Sequence, residues 1–454
     1  MEQMMLDGIF TQPKKMKLEY TQSRSIENKV TFTGEGVVRF IDLFAGLGGT
    51  RIGFEQACIA KGLEPKCVFT SEIKEHAISA YKHNFNEKHI SGDITKIEAH
   101  SIPDFDFLLA GFPCQPFSSA GKRNGFLDSR GGLFFIIQNI LDVKKPQGFL
   151  LENVDGLASH DNGKTLDIII SRLEGLGYNV SYQVLDSSDF GVPQKRKRIY
   201  IVGNKDFKPL LKDFSRSFKS AGEVIDHDAP VKPTAFTKLL TDKFSAEQLH
   251  GKSIKDKRGG DNNIHSWDLE MKGAVSVEQK KLLSLLLKKR RMKKWAQAKG
   301  IEWMDGMPLT LDEIKTFYNH PESEVFLNDL VDKGYLKFEH PKKRVVEEGI
   351  VKRVPHTEAP KGYNIVAGKL SFPLAVILDP NDVAPTIVAT EAGKIGVVTR
   401  KGVRSITVQE GLYFSGFPHD YIIPDNDYAK AFDLIGNTVM PPVIKEVALK
   451  ILKP

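Results

Sequence analysis

The segment Ala110-Gly111-Phe112-Pro113-Cys114-Gln115-Pro116-Phe117-Ser118 places a cysteine between two prolines, directly after an apolar run from Phe105 to Leu109. That run is typical of a buried strand in a parallel sheet, and the prolines fix the backbone on both sides of the thiol. Because ligands bind at the carboxyl ends of strands in open α/β sheets, Cys114 is a candidate nucleophile. The alternative is a buried cysteine that behaves as a small hydrophobe.

Acidic and basic side chains near two later strands could assist such a nucleophile. Glu152 lies near the end of the apolar run 149–154, where burial raises the pKa of a carboxyl group and makes it a proton donor at neutral pH. A salt-bridged structural acid is the alternative. Alternation along a strand puts Gln194, Arg196 and Arg198 on one face, where guanidinium groups could bind a base carbonyl or phosphates.

A glycine-rich turn opens the region that must position these groups. An apolar strand pattern at 37–44 leads into Gly46-Leu47-Gly48-Gly49, and helical spacing follows at 50–60. The turn is neither GxGxxG nor a P-loop, since no Gly-Lys-Ser/Thr follows it. Glu72 and Asp93 follow the next two segments, and Glu72 has the spacing of a carboxylate that binds ribose hydroxyls. Although each acid could be a helix N-cap or first-turn residue, the set favours a cofactor that contains a nucleoside.

Length, composition and charge limit the class of protein. At 454 residues, 41% hydrophobic and 27% charged, the chain is long for one core and predicts two lobes of a soluble protein. Three cysteines without a CxxC pair argue against disulfides and a metal site. The absence of a signal or membrane segment predicts a cytoplasmic protein.

Positive charge is concentrated in three clusters, at 195–198, 288–294 and 342–344, within a chain of net charge +7. A single cluster of this kind is usually a solvated helix face or turn. Three of them beside the other motifs favour a nucleic-acid partner.

The order of five motifs resembles that of the cytosine-C5 DNA methyltransferases. The motifs are Phe40–Gly49, Gly111–Pro116, Glu152-Asn153-Val154, Gln194-x-Arg196-x-Arg198 and Gly436-Asn437-Thr438-Val439. The resemblance covers residues 39 to about 203 and 386 to 454. It implies an α/β fold of the S-adenosylmethionine-dependent methyltransferase type, with a Rossmann-like, mostly parallel sheet, helices on both of its faces and a smaller target-recognition domain.

The same resemblance implies S-adenosyl-L-methionine as cofactor. It sets the Phe44 side chain against the adenine ring, the 46–49 turn along the methionine part, Glu72 on the ribose hydroxyls and Asp93 on the adenine amino group. The full predicted pocket comprises Phe44, Gly46, Leu47, Gly48, Gly49, Glu72, Asp93, Ile94, Pro113, Asn437 and Val439.

Cytosine C5 is a poor nucleophile, and the family resemblance supplies a covalent route around this. The Cys114 thiolate adds to C6, Glu152 protonates N3, and Arg198 holds O2, with Arg196 or Arg198 helping the thiol to ionise. The target base must leave the duplex, and a cationic loop at 118–130 is expected to close behind it. The predicted DNA contacts are Gln115, Ser118, Lys122, Arg123 and Gln194.

The predicted domain order is an N-terminal extension (1–38), the first part of the catalytic domain (39–204), a target-recognition domain (205–420) and a C-terminal return to the catalytic domain (421–454). A helix over 441–452 should pack beside the first helix of the sheet. A cationic helix is expected over 276–299. Two helices within 309–333 are compatible with a helix-turn-helix-like reader or with an insertion that only adds stability.

The expected partner is double-stranded DNA. We expect a monomer that does not associate with a membrane, and a cognate restriction endonuclease would be encoded separately. Two alternatives stay open: an RNA cytosine-C5 methyltransferase and a DNA-binding relative without catalysis. The long recognition segment argues against the first, and the presence of Cys114, Glu152 and Arg198 argues against the second. A nicotinamide-dependent oxidoreductase would need the GxGxxG turn that is missing.

Overall fold

The computed structural model describes residues 36–112, 132–256, 259–260, 262–302, 306–347, 350–366, 372–425 and 427–452. Six predicted site residues lie outside these ranges: Pro113, Cys114, Gln115, Ser118, Lys122 and Arg123. Nearly all of the predicted N-terminal extension lies outside them as well.

Helices and strands alternate through the first half of the chain. The strands are β1 (Val37–Leu43), β2 (Glu64–Ser71), β3 (Phe107–Gly111), β4 (Gly148–Val154), β5 (Asn179–Asp186), β6 (Lys197–Asn204), β7 (Ser253–Ile254), β8 (Asn263–Ile264), β9 (Leu336–Glu339), β10 (Lys342–Glu347), β11 (Ile350–Pro355), β12 (Gly362–Ile365), β13 (Val376–Ile377), β14 (Ile395–Thr399) and β15 (Gly402–Ser405). The helices are α1 (Gly49–Ala60), α2 (Glu75–Phe85), α3 (Gly132–Lys144), α4 (Lys164–Gly175), α5 (Ala235–Lys243), α6 (Ala246–Leu249), α7 (Val277–Lys289), α8 (Lys293–Ala298), α9 (Leu311–Lys315), α10 (Ser323–Asp332), α11 (Val408–Phe414), α12 (Tyr428–Gly436) and α13 (Pro441–Ala448). Short 3-10 turns span Ile94–Lys96, Ala99–Ser101, Asp155–Ala158, His160–Gly163, Ser187–Asp189, Ala221–Glu223 and Ala392–Lys394.

The chain forms two compact units. Unit 1 contains the described residues up to Asp226 together with Pro380–Ala392 and the chain from Ile406 onward, and unit 2 contains His227–Asp379 and Gly393–Ser405. Segments 205–226, 380–392 and 406–420 thus group with unit 1, whereas the sequence had placed them in the recognition domain. The grouping follows from backbone hydrogen bonds such as Ala221 N–H to the Asp382 carbonyl and Ala384 N–H to the Pro193 carbonyl.

Unit 1 is built on a six-stranded sheet of order β2-β1-β3-β4-β6-β5. The pairs β1–β2, β1–β3 and β3–β4 are parallel, and β6 runs antiparallel to both of its neighbours. The sheet is therefore mostly parallel, and the predicted Rossmann-like α/β class is confirmed.

Residues that alternate along the strands bury both faces of this sheet. Phe40 and Leu150 pack against α1 and α13 on one face. Ile41 and Leu151 pack on the other face against α3 and α4, through residues such as Ile137. Helices therefore cover both faces, as predicted.

The C-terminal helix α13 packs beside α1, which confirms the predicted return of the chain. Its buried residues are Pro441, Val443, Ile444, Val447 and Ala448. The helix ends at Ala448, and the chain continues as a turn, whereas the sequence pattern had extended the helix to 452.

Unit 2 holds a five-stranded sheet of order β15-β14-β13-β7-β8 and two two-stranded sheets, β12–β9 and β10–β11. The single cationic helix predicted over 276–299 is wrong, because two helices, α7 and α8, occupy this segment. Trp295 explains the break: its indole N–H donates to the Lys289 carbonyl at 2.7 Å, so the chain turns back and satisfies a carbonyl at the end of α7. The helices expected within 309–333 are α9 and α10, and α10 buries Leu327 and Leu330 in the core of the unit.

Within the described part of the chain, no helix is both long and apolar enough to cross a membrane.

Candidate active site

The candidate residues of unit 1 converge on one edge of its sheet. Phe44 follows β1, Glu72 follows β2, and Glu152 lies near the end of β4. Because β6 is antiparallel to β4, the first residues of β6 reach the same edge, and Arg198 pairs in register with Val154. This edge is the carboxyl end of the parallel strands, where ligands bind in sheets of this kind.

The glycine turn between β1 and α1 requires its glycines. Gly48 is the N-cap of α1 with φ of 74°, and a Cβ there would lie 2.4 Å from the Phe85 ring. A Cβ on Gly49 would lie 2.2 Å from the Val439 carbonyl oxygen. The glycine turn and the C-terminal segment are therefore in contact through backbone atoms, with no room for a side chain at Gly49. Phe44 also has a positive φ, of 55°, which is uncommon for an aromatic residue and typical of a constrained functional site.

Glu72 is held rigidly by backbone N–H groups. Its Oε1 accepts from Ile73 and Lys74 at 2.8 and 2.9 Å, and its Oε2 accepts from Gly46 at 2.8 Å. Since each carboxylate oxygen has two lone-pair sites, Glu72 keeps acceptor capacity while its orientation is fixed.

Asp93 has the local role that the alternative interpretation gave it. Its Oδ1 accepts from the Thr95 backbone N–H and hydroxyl, so it caps the 3-10 turn Ile94–Lys96. The same two donors hold the pKa of Asp93 below its ordinary value. Asp93 also lines the cavity described next, so the two roles coexist.

A cavity of about 530 Å³ lies at this edge of the sheet. This volume is within the range of small-molecule sites. Nine predicted site residues line it, whereas Leu47, Gly48, Gly49 and Val439 of the predicted cofactor pocket are not among its lining residues. The lining predicted residues are Phe44, Gly46, Glu72, Asp93, Ile94, Glu152, Arg196, Arg198 and Asn437.

The lining residues fit the predicted nucleoside cofactor by their chemistry. Phe44 offers an aromatic face, Glu72 offers a fixed acceptor for hydroxyl groups, and Asp93 offers a second acceptor. The N-terminus of α1 follows the turn directly, and its free N–H groups favour a carboxylate.

Glu152 and Arg198 form an ion pair on the cavity wall, with Arg198 Nε 3.2 Å from Glu152 Oε1. Both side chains are largely buried, with 9% of the Glu152 surface and 17% of the Arg198 surface exposed. Burial raises the pKa of Glu152 above its ordinary value, and the charges of Arg198 and Arg196 oppose this. A carboxyl with a raised pKa beside a guanidinium can hold a proton and bind a polar ring edge.

Two predicted roles need correction. The Gln194 side chain is fully buried; its amide donates to the Phe414 carbonyl and accepts from the Ile387 N–H, each at 3.0 Å. With both ends bound to backbone, the predicted DNA contact of Gln194 is wrong. Arg196 donates to the Gly436 carbonyl at 3.0 Å, so its main contact is structural rather than catalytic.

Asn153 follows Glu152 in the third of the five motifs and supports the site through backbone contacts. Its Nδ2 donates to the Phe112 carbonyl at 3.0 Å, and its Oδ1 accepts from the Val154 N–H at 2.8 Å. It therefore fixes the last described residue before the predicted nucleophile. The motif position was the only sequence signal, because Asn153 alone looks like any polar residue at the end of a strand.

Tyr421 and Asp42 also support the site. The Tyr421 hydroxyl donates to the Leu47 carbonyl at 2.7 Å and so holds the glycine turn from the C-terminal segment. Asp42 is buried and accepts from the Thr50 hydroxyl at 2.7 Å, at the start of α1. The signal for Asp42 was a charged residue inside an apolar strand.

Comparison with known proteins identifies the family. The family model of the C-5 cytosine-specific DNA methylases matches residues 38–453. Type II methyltransferase M.NlaIV of Neisseria lactamica is 52% identical over 424 residues, which are 91% of this chain and 99% of that protein. Type II methyltransferase M.BanI of Aneurinibacillus aneurinilyticus is 41% identical over 436 residues, covering 90% and 94%. Among solved structures, the Entamoeba histolytica methyltransferase EhMeth aligns over 91% of this chain and 97% of its own, with 15% identity and a TM-score of 0.49.

The chain belongs to the C-5 cytosine-specific DNA methylase family. It is accordingly a DNA cytosine-5 methyltransferase whose methyl donor is S-adenosyl-L-methionine.

Proposed function

We propose that the cavity of unit 1 binds S-adenosyl-L-methionine through the residues that the sequence assigned to it. Phe44 stacks on the adenine ring, Glu72 accepts from the ribose hydroxyls and Asp93 accepts from the adenine amino group. Asn437 closes the cavity from the C-terminal segment. The observation that supports this is the meeting of Phe44, Glu72, Asp93 and Asn437 in one cavity with the Glu152–Arg198 pair.

We propose that Glu152 and Arg198 bind the Watson–Crick edge of a cytosine taken out of the duplex. Glu152, whose pKa is raised by burial, donates to N3 in its protonated form, and Arg198 donates to O2. Arg196 acts as a positioning residue, since its guanidinium is bound to the Gly436 carbonyl and so holds the segment that carries Asn437.

Cys114 is the proposed nucleophile. Its thiolate adds to C6 while N3 takes the proton of Glu152, which leaves electron density at C5. Held by Phe44, Glu72, Asp93 and Asn437, the cofactor would supply an electrophilic methyl group for C5, and its sulfur would keep the electron pair of the broken sulfur–methyl bond as a neutral thioether. A general base then removes the C5 proton, the sulfur–C6 bond breaks, and N3 returns its proton. Asn153 holds the Phe112 carbonyl and thereby the start of the segment that carries Cys114.

Unit 2 is the proposed target-recognition domain, and Gln115, Ser118, Lys122 and Arg123 remain proposed DNA contacts. The relatives are named type II methyltransferases, which supports protection of cellular DNA, in the cytoplasm, against a cognate restriction endonuclease. We propose that the enzyme methylates one short sequence and acts as a monomer.

Bisulfite sequencing tests the proposal directly. Unmethylated genomic DNA is incubated with the enzyme and S-adenosyl-L-methionine, and cytosines protected in one short context are expected. Cys114→Ser should abolish protection and leave cofactor binding by calorimetry unchanged, whereas Cys58→Ser, in a buried cysteine of α1 away from the cavity, serves as the matched control. Methylation by Cys114→Ser at a level close to that of the wild type would contradict the covalent route. An RNA assay follows if no DNA cytosine is protected.

A further inference from the structure

The three cationic clusters of the sequence have different environments. In the first, Arg196 is buried and Arg198 pairs with Glu152. In the second, Arg290 is buried, and its Nη1 donates to Asn364 at 2.8 Å. The third, at 342–344, lies on the two-stranded sheet β10–β11, where Lys342 and Arg344 are exposed and Lys343 is partly covered. The first two clusters also keep exposed lysines, which are Lys195, Lys197, Lys288, Lys293 and Lys294. The third differs from them because it lies on a two-stranded sheet whose exposed surface also carries valines.

The two strands of this ribbon pair antiparallel, with Arg344 opposite Arg353 and Val346 opposite Val351. Residues directly opposite lie on the same face of a sheet, and every second residue shares that face. One face, which we term the open face, therefore carries Lys342, Arg344, Val346, Val351, Arg353 and Pro355. All six of these residues are exposed. On the other face Lys343, Val345 and Val354 are partly covered, and Ile350 and Lys352 are exposed.

The composition of the open face is costly for a protein in water. Two like charges directly opposite each other on neighbouring strands destabilise a sheet. Val346 and Val351 beside them are 69% and 62% exposed. Arg344 pairs with Glu302 at 2.9 Å, but these side chains are 42% and 63% exposed, and such pairs contribute little and exchange readily for another anion.

We propose that the open face of the β10–β11 ribbon binds the DNA duplex that the enzyme methylates. Arg344 and Arg353 contact phosphates of the duplex. Val346 and Val351, the next pair along the ribbon, face the groove. The charge is complementary to a polyanion, and the major groove, about 12 Å wide, admits a two-stranded ribbon. Strands of six residues extend about 20 Å. The ribbon is therefore long enough to reach the floor of a groove that is about 8.5 Å deep. This inference rests on the proposed function, because it takes duplex DNA as the substrate. It adds the surface that binds the duplex.

Salt-dependent DNA binding tests the ribbon. Binding of a fluorescent duplex that contains the methylated site is measured by anisotropy at a series of KCl concentrations for the wild type and for Arg344→Ala/Arg353→Ala. Each lost phosphate contact lowers the slope of log affinity against log salt by about 0.9, so the double variant should lose about 1.8. Its affinity at physiological salt should fall about tenfold or more.

Lys238→Ala/Lys315→Ala is the matched control, because it removes two exposed charges from helices α5 and α9 of the same unit. In methylation assays, Arg344→Ala/Arg353→Ala should raise KM for DNA and leave kcat at saturating DNA and cofactor affinity at the wild-type level. An equal salt slope and KM in both double variants would overturn the proposal. A change of sedimentation state without a change in DNA affinity would also overturn it and indicate contact with a second protein copy. If the proposed function fails, the wild type itself does not methylate the duplex. That outcome is therefore distinguishable from failure of the ribbon proposal.

Discussion

The buried carboxyl of Asp42 is the clearest test of how the cofactor turn is supported. It accepts from the Thr50 hydroxyl at 2.7 Å and from the Tyr81 hydroxyl at 3.1 Å. Burial raises the pKa of Asp42 to about 7, although those two donors and Arg51 lower it. Because Thr50 lies at the start of α1, the carboxyl ties β1 to the helix that follows the glycine turn. Asp42→Asn keeps the shape of the side chain and removes its ionisation.

The sign of the effect follows from proton binding. The pKa of Asp42 is raised in the folded protein above its unfolded value of 3.8. Between these two values the folded state binds more protons than the unfolded state, so the free energy of unfolding falls as pH rises. For a single group, this loss amounts to about 2 to 3 kcal/mol between about pH 5 and about pH 8.

The Asp42→Asn variant escapes this loss and can keep the hydrogen bonds. The new amide's carbonyl accepts from Thr50, and its N–H donates to the Tyr81 hydroxyl, which can turn its own proton toward Thr70 at 3.4 Å. We therefore expect the stability of Asp42→Asn relative to the wild type to increase by about 2 to 3 kcal/mol from about pH 5 to about pH 8.

Urea unfolding at several pH values, followed by circular dichroism, measures this difference. Trp267 and Trp295 belong to unit 2, so their fluorescence reports the other unit and should not show the effect. Asp142→Asn, an exposed carboxyl of α3, is the matched control. A relative stability of Asp42→Asn that stays constant or falls with pH would refute the reasoning, because it would mean that Asp42 is ionised in the folded protein.

Further predictions concern the cavity. Glu152→Gln should lower kcat by about 10²- to 10⁴-fold in single-turnover assays with little change in DNA affinity; equal losses would indicate a structural acid. Because the protonated Glu152 is the active form, methylation should decline as pH rises through its raised pKa, and Arg198→Ala, which removes the largest opposing charge, should move that decline to higher pH. Gly49→Ala should destabilise the protein by about 1–3 kcal/mol and abolish cofactor binding, while Gly175→Ala, with open space around its Cβ, should unfold in urea like the wild type. Asp433→Asn breaks the half-exposed ion pair with Lys74, which lines the cavity. Because exposed ion pairs contribute little, calorimetry should show that cofactor affinity falls at most about fivefold.

Local patterns were sufficient to predict the frame of unit 1. The strand at 37–43, the glycine turn and the helix that follows are each encoded by neighbouring residues, through alternation, backbone freedom and helical spacing. The apolar stripe of α13 likewise predicted its partner α1, because a helix with one apolar face must bury it.

Features that depend on distant pairing could not be predicted in this way. Trp295 interrupts a helix that its own segment favours, because its indole finds a carbonyl at Lys289. Asp42 reads as one charged residue in a strand until Tyr81, 39 residues later, is seen to donate to it. In both cases the deciding contact is made by a side chain whose position no local pattern records.

The basic strand shows the same limit and explains why two of its residues were misread. Alternation suggested one face for Gln194, Arg196 and Arg198, yet only Arg198 reaches the Glu152 carboxylate. Gln194 and Arg196 bind backbone groups of Ile387, Phe414 and Gly436, 191 to 240 residues further along the chain. A motif can therefore combine residues that act on substrate with residues that fasten the returning chain to the sheet. The site needs both, because Asn437 reaches the cavity only if that segment is held in place.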